Sequence, residues 1–109
     1  MNDLRSVYDQ RDDVQIVDCR EPWEWNAGRI EGAILAPLNQ LMAGGEGDAD
    51  LDSSKKTYVV CRTGNRSELA TMMLRARGFD AENMEGGMVE WERLGLPFSA
   101  PDGSPGRVA

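Results

Sequence analysis

Apolar positions fall into short runs of two kinds, and the two kinds alternate along the chain. "VQIVD" (14–18) is a compact apolar run ending in an acid, the pattern of a buried strand. "AILA" (33–36), stopped by Pro37, and the β-branched, aromatic "TYVVC" (57–61) read the same way. "AENM" (81–84) is a weaker, shorter strand. Helical period fills the gaps. Asn2 or Asp3 can cap a first short helix with Leu4, Val7 and Tyr8 on one face. "EPWEWNAG" (21–28) carries proline in its first turn and glycine at its end. "LNQLMA" (38–43) supplies one or two turns, and "MVEWERLG" (88–95) a last helix. The strongest helix is "SELATMMLRARG" (67–78), with Leu69, Met72, Met73 and Ala76 expected on one face and Gly78 as its stop.

Strands alternating with helices predict a parallel α/β sheet covered on both faces, with one domain over 1–98. "GGEGDADLDSS" (44–54) reads as a solvated loop. "SAPDGSPGRVA" (99–109) reads as a flexible tail or linker. In such sheets, ligands sit beyond the carboxyl ends of the strands, and Cys61 lies at one of these ends.

Composition narrows the chemistry. The chain has 109 residues, 40% hydrophobic and 28% charged, as expected of one globular domain. No apolar run approaches the ~20 residues of a membrane span. The opening "MNDLRSVYDQ" has no apolar signal core, so the cytoplasm is the expected compartment and no membrane partner is expected. A net charge of −7 argues against nucleic-acid partners. The absence of histidine excludes Cys–His proteases, Ser–His hydrolases and most zinc enzymes. Cys19 and Cys61 are too few for a four-thiolate metal site and are expected as free thiols, so neither metal nor cofactor is expected.

"VVCRTGNRSE" (59–68) concentrates the remaining chemistry. A loop from strand to helix exposes the unpaired N–H groups of the helix start, and the helix dipole favours an anion above them. Gly64 permits a positive φ, so the loop can curl into an anion cradle. Arg62 and Arg66 add charge, and every one of these influences favours thiolate over thiol at Cys61. A cysteine closing a buried strand is, taken alone, ordinary packing, and Arg66 alone could form a structural ion pair, for instance with Asp18. Glycine, two arginines and a helix start within six residues outweigh the packing reading. Cys61 is therefore the candidate nucleophile. Arg62, Thr63, Gly64, Asn65, Arg66 and Ser67 are the candidates for binding an anionic substrate.

Three segments, in order, resemble the single-domain rhodaneses, a sulfurtransferase family. "VDCREPWEWNAGRIEGAI" (17–34) is similar to the signature D-x-R-E-x-x-E-(aromatic)-x-x-G-H-I-x-G-A, with Arg29 where histidine is usual. "VVCRTGNRS" (59–67) is similar to the six-residue active-site loop C-R-x-G-x-R. "GFDAENMEGGMVEWERLGLP" (78–97) is similar to the closing strand, Gly-Gly turn and Trp-bearing helix. The resemblance implies a parallel sheet of four to five strands, although the family's usual first strand has no room before Asn2. It implies sulfur transfer from a small anionic donor such as thiosulfate, through a persulfide on Cys61, to a thiol, cyanide or sulfur-carrier protein. It implies that Asp18, Arg20 and Glu24 brace the loop, and that a charged residue after the cysteine suits thiosulfate, since related mercaptopyruvate enzymes tend to have glycine there. Cys19 is expected as a buried bystander, because strand alternation turns it away from positions 18 and 20, the alternative being a redox pair in which the two thiols approach each other if its strand neighbours that of Cys61. Trp23, Trp25 and Trp91 are expected as core or rim packing, and Gly86 and Gly87 as a turn. Two rivals remain: a phosphatase or arsenate reductase, whose loop C-x-x-x-x-x-R is one residue longer, and a non-catalytic binding module, whose relatives usually lack the cysteine.

Overall fold

A computed structural model describes residues 3–44 and 51–109; most of the expected acidic loop, and Asn2, lie outside these residues. The elements run α1 (Leu4–Asp9), β1 (Gln15–Asp18), α2 (Pro22–Ala27), β2 (Ile34–Leu35), α3 (Leu38–Ala43), β3 (Thr57–Val60), α4 (Asn65–Ala76), β4 (Ala81–Asn83) and α5 (Gly87–Arg93). The strands form one four-stranded sheet in the order β2-β1-β3-β4, with every neighbour parallel. This is the parallel α/β sheet that the alternating pattern predicts, with four strands where the resemblance implies four to five. The two central strands, β1 and β3, are buried along their whole length, which is why apolar residues dominate both.

Alternation along the strands divides the core in two. Ile16, Tyr58 and Val60 face α1 and α5 through Leu4, Val7, Met88 and Trp91. Val17, Val59 and both cysteines face α3 and α4 through Leu41, Ala70 and Leu74. Asp3, not Asn2, is the described cap of α1, its carboxylate accepting from the Arg5 amide at 3.0 Å.

The buried face of α4 is a correction to the expected one. Leu69 and Met72 are 42% and 59% exposed, whereas Ser67, Ala70, Thr71 and Leu74 are buried. The period is helical but the phase differs. The sequence pattern weighted the large apolar residues. Packing instead puts small residues against the sheet, which lets the start of α4 approach the end of β3. The helix also begins at Asn65, because Gly64 (φ +102°) turns the chain sharply enough for the last loop residues to enter the helix.

Residues 99–109 lie against the body. Arg29 and Ser99 exchange backbone hydrogen bonds at 2.9 and 3.0 Å, and the Arg107 amide donates to the Ala27 carbonyl at 3.0 Å. Gly28 and Gly106 cross so closely that a Cβ on Gly28 would sit 2.8 Å from the Arg107 nitrogen.

Candidate active site

Cys61 is the first residue after β3, one step beyond the strand expected to contain it. Its sulfur is almost fully enclosed, with 1% of the residue exposed. Three donors from the loop and α4 converge on it: the Gly64 amide at 3.1 Å, the Ser67 amide at 3.4 Å and the Ser67 hydroxyl at 3.3 Å. The Cys19 thiol approaches from β1 and is the largest influence drawing the Cys61 thiol far below its ordinary value. Burial opposes this, and the Ser67 hydroxyl, Ser67 amide and Gly64 amide reinforce it. The converse holds at Cys19: its hydrogen bond to Cys61, its burial and the adjacent negative sulfur all push its thiol up. Cys61 carries the charge and Cys19 the proton, because the amides point at Cys61. Of the two readings of Cys19, the structure shows the buried thiol that approaches Cys61. The alternation that turns it from Asp18 and Arg20 places it on the same face of the sheet as Cys61.

Asn83, at the end of β4, ties the cradle together. Its side-chain nitrogen donates to the Gly64 carbonyl at 3.1 Å, which holds the Gly64–Asn65 peptide, and its oxygen accepts from the Ser67 hydroxyl at 2.5 Å. That hydroxyl has one proton, so it serves either Asn83 or the Cys61 sulfur at a given moment. The sequence offers one signal for Asn83: a polar residue at the carboxyl end of the strand beside β3.

The loop is held from behind by α5. The Met88 and Val89 amides donate to the carbonyls of Cys61 and Arg62 at 2.9 and 3.0 Å. This contact requires glycine at 87. A Cβ there would lie 2.3 Å from the Cys61 oxygen and 2.7 Å from the Arg62 oxygen. The Gly-Gly pair thus makes the expected turn and also permits the contact with the loop.

The arginines are placed differently from free cradle charges. Arg66 forms a bidentate pair with Glu24, at 2.6 and 2.8 Å, rather than with Asp18. Glu24 is buried at 3% and Arg66 is 36% exposed at its side chain, so the carboxylate fixes one face of the guanidinium and leaves the rim to solvent. The Arg66 hydrogen bond is the largest cause holding the Glu24 carboxyl below the usual range. Glu24 also accepts from the Glu21 amide at 3.1 Å, locking the start of α2. Arg62 is exposed, and its Nε donates to the Ala109 carbonyl at 3.2 Å. Thr63 and Asn65 line an open groove beside the loop with Glu68, Glu82 and Glu85.

Asp18 and Arg20 form a buried pair beneath the site. Arg20 Nε and Nη2 reach the carboxylate at 2.9 and 2.8 Å, and Nη2 also donates to the Gly28 carbonyl at 2.7 Å. Nη1 is the buried side-chain polar atom left without a partner among the described residues. Arg29 lies over the Trp25 ring, 4.7 Å from its centroid. Trp91 is fully buried and donates to the Pro97 carbonyl at 3.0 Å, whereas Trp23 is exposed.

The rhodanese-like domain family matches residues 3–94, and the chain belongs to that family. It is 32% identical to a sulfurtransferase of Allochromatium vinosum over 84% of each chain. It is 36% identical over 87% of its length to the probable adenylyltransferase/sulfurtransferase MoeZ of Mycobacterium tuberculosis, of which it spans 24%. Among solved structures, a rhodanese-related protein of Thermoplasma volcanium is 32% identical, with a TM-score of 0.79 over 87% of this chain and 92% of that one.

Proposed function

We propose that this chain moves a sulfane sulfur from thiosulfate, or a related small anionic donor, to a nucleophilic acceptor through a persulfide on Cys61. The observation that carries the reading is the enclosed Cys61 sulfur just after β3, facing the Gly64 amide of the loop and the Ser67 amide of α4. The thiolate attacks the outer sulfur of the donor, and sulfite leaves with the electron pair of the broken S–S bond. The loop amides and Arg62 stabilise the departing anion. The persulfide carries its charge on the outer sulfur, within reach of the same amides. An acceptor then attacks that sulfur and Cys61 leaves as thiolate, ready for another donor.

Thr63, Asn65 and Ser67 contribute the loop backbone that receives the donor, and Glu24 holds Arg66 at the rim. Asp18 and Arg20 keep the β1 end and α2 in place and do not react. Acceptors are a thiol, cyanide or a sulfur-carrier protein. The spacing from Cys61 to Arg66 favours sulfur over phosphorus or arsenic. Thiosulfate:cyanide transfer measured beside phosphate-ester hydrolysis tests the proposal. Transfer without hydrolysis is expected. Hydrolysis alone would mark a phosphatase-like enzyme, and neither activity a binding module.

A further inference from the structure

The second thiol lies where a persulfide on Cys61 would meet it. β1 and β3 pair in parallel with Asp18 opposite Val60, and the Cys19 amide donates to the Val60 carbonyl at 3.0 Å. The next step of that register sets Cys19 beside Cys61. Alternation puts Val17, Cys19, Val59 and Cys61 on one face, in one apolar cluster with Leu41, Ala70 and Leu74. Adjacent strands lie ~4.8 Å apart, inside the Cα separation of about 4.4–6.8 Å that a disulfide spans. Both cysteines are free and both are buried. The Gly64 amide meets the Cys61 sulfur from the loop, and Cys19 shares the apolar cluster of Cys61 on the sheet.

We propose that Cys19 resolves the Cys61 persulfide by attacking its inner sulfur, forming a Cys19–Cys61 disulfide and releasing the sulfane sulfur as hydrosulfide. The inference rests on the sulfur-transfer reading and adds an outlet for the sulfur when no acceptor comes. A bond forms between the two Sγ atoms, and the S–S bond of the persulfide breaks with its electron pair on the outer sulfur. The Cys19 proton goes to that departing sulfur. The step needs no outside oxidant. Attack on the outer sulfur would move the sulfane onto Cys19; the inner sulfur is the atom that the β1–β3 register sets beside Cys19. The order of events is built in. While Cys61 is a thiolate, its charge holds Cys19 protonated; once the persulfide forms, that charge moves one atom outward into the cradle and the restraint on Cys19 falls. The resulting disulfide blocks reloading until an external thiol reduces it. Sulfide release therefore ends in a locked state that reports the redox condition around the protein.

The test loads wild type, Cys19→Ala and Cys19→Val with thiosulfate, removes the donor and adds no acceptor. Sulfide, intact mass and non-reducing peptide maps are then followed. Wild type should pass from one sulfur heavier to two hydrogens lighter than the reduced chain, with sulfide released in step and a peptide linking Cys19 to Cys61. Both variants should hold their persulfide at least about tenfold longer and still yield it to cyanide. Equal decay in all three proteins, or a wild-type persulfide that decays without the linked peptide, would overturn the proposal while leaving sulfur transfer standing. A wild type that takes up no sulfane sulfur would overturn both. The linked peptide is read in wild type alone, so the test survives poor folding of either variant.

Discussion

Replacing Gly87 by alanine imposes two separable costs. The residue sits at φ +58°, where a Cβ is strained by about 1–2 kcal/mol. That Cβ would also lie 2.3 Å from the Cys61 oxygen and 2.7 Å from the Arg62 oxygen, both backbone atoms that move only if the loop moves. Forcing such a contact into a packed region costs about 1–3 kcal/mol more. Gly95 isolates the first cost, since it has φ +71° and nothing within 4 Å of its would-be Cβ. Urea unfolding should therefore place Gly95→Ala about 1–2 kcal/mol below wild type and Gly87→Ala about 2–5 kcal/mol below. The variants should differ more sharply in chemistry. Pushing the Cys61 and Arg62 carbonyls away from the Met88 and Val89 amides tilts the cradle, so Gly87→Ala should lose most thiosulfate turnover while Gly95→Ala keeps it. If the two lose equal stability and retain equal turnover, the claim that α5 holds the loop through a glycine contact is wrong.

The ionisation of Cys61 should appear as an alkylation rate by iodoacetamide whose midpoint lies near pH 4 rather than near the ordinary 9.0, moving up in Ser67→Ala. Because the folded value is depressed, this ionisation adds stability that is complete above pH 9.0, shrinks below it and is gone once pH has fallen through about 4. A midpoint near the ordinary thiol value would refute the cradle electrostatics. Glu24→Gln should raise the donor KM several-fold and lower stability by about 1–2 kcal/mol, a modest cost because the partly exposed Arg66 can turn to solvent. The wild-type advantage should be full above the ordinary carboxylate value of 4.5 and vanish as pH falls through the lower folded value, and a gap that persists in acid would refute the ion-pair account. Arg62→Gly should cut the thiosulfate kcat/KM at least about tenfold, ~1.4 kcal/mol, with a smaller effect on mercaptopyruvate, and an unchanged ratio between donors would show that Arg62 does not read the sulfonate end.

The sheet was legible in the sequence because its central strands are buried on both faces and announce themselves as apolar runs. The loop was legible because its chemistry is local: cysteine, glycine and arginine lie within one strand–helix junction. What escaped depends on neighbours distant in sequence. Asn83 joins the site only because β4 pairs with β3. The approach of Cys19 to Cys61 stayed conditional in the sequence on their strands being neighbours, and the pairing of β1 with β3 meets that condition. The phase of α4 was missed because Met72 and Leu69 outweigh Ser67 and Ala70 in hydrophobicity, yet the need to bring a helix start close to Cys61 selects the smaller side chains. Arg66 read as a cradle charge because no local feature announces its bidentate partner Glu24, which lies four elements earlier.

The central claim is that Cys61 carries transferable sulfur. Intact-mass analysis with peptide mapping, performed immediately after thiosulfate is added to the fully reduced chain, tests it most directly. The account predicts a gain of one sulfur atom, located on Cys61, removed by cyanide and absent in Cys61→Ser. A chain that gains no sulfur, or that carries it on Cys19 with Cys61 unmodified, would contradict the account.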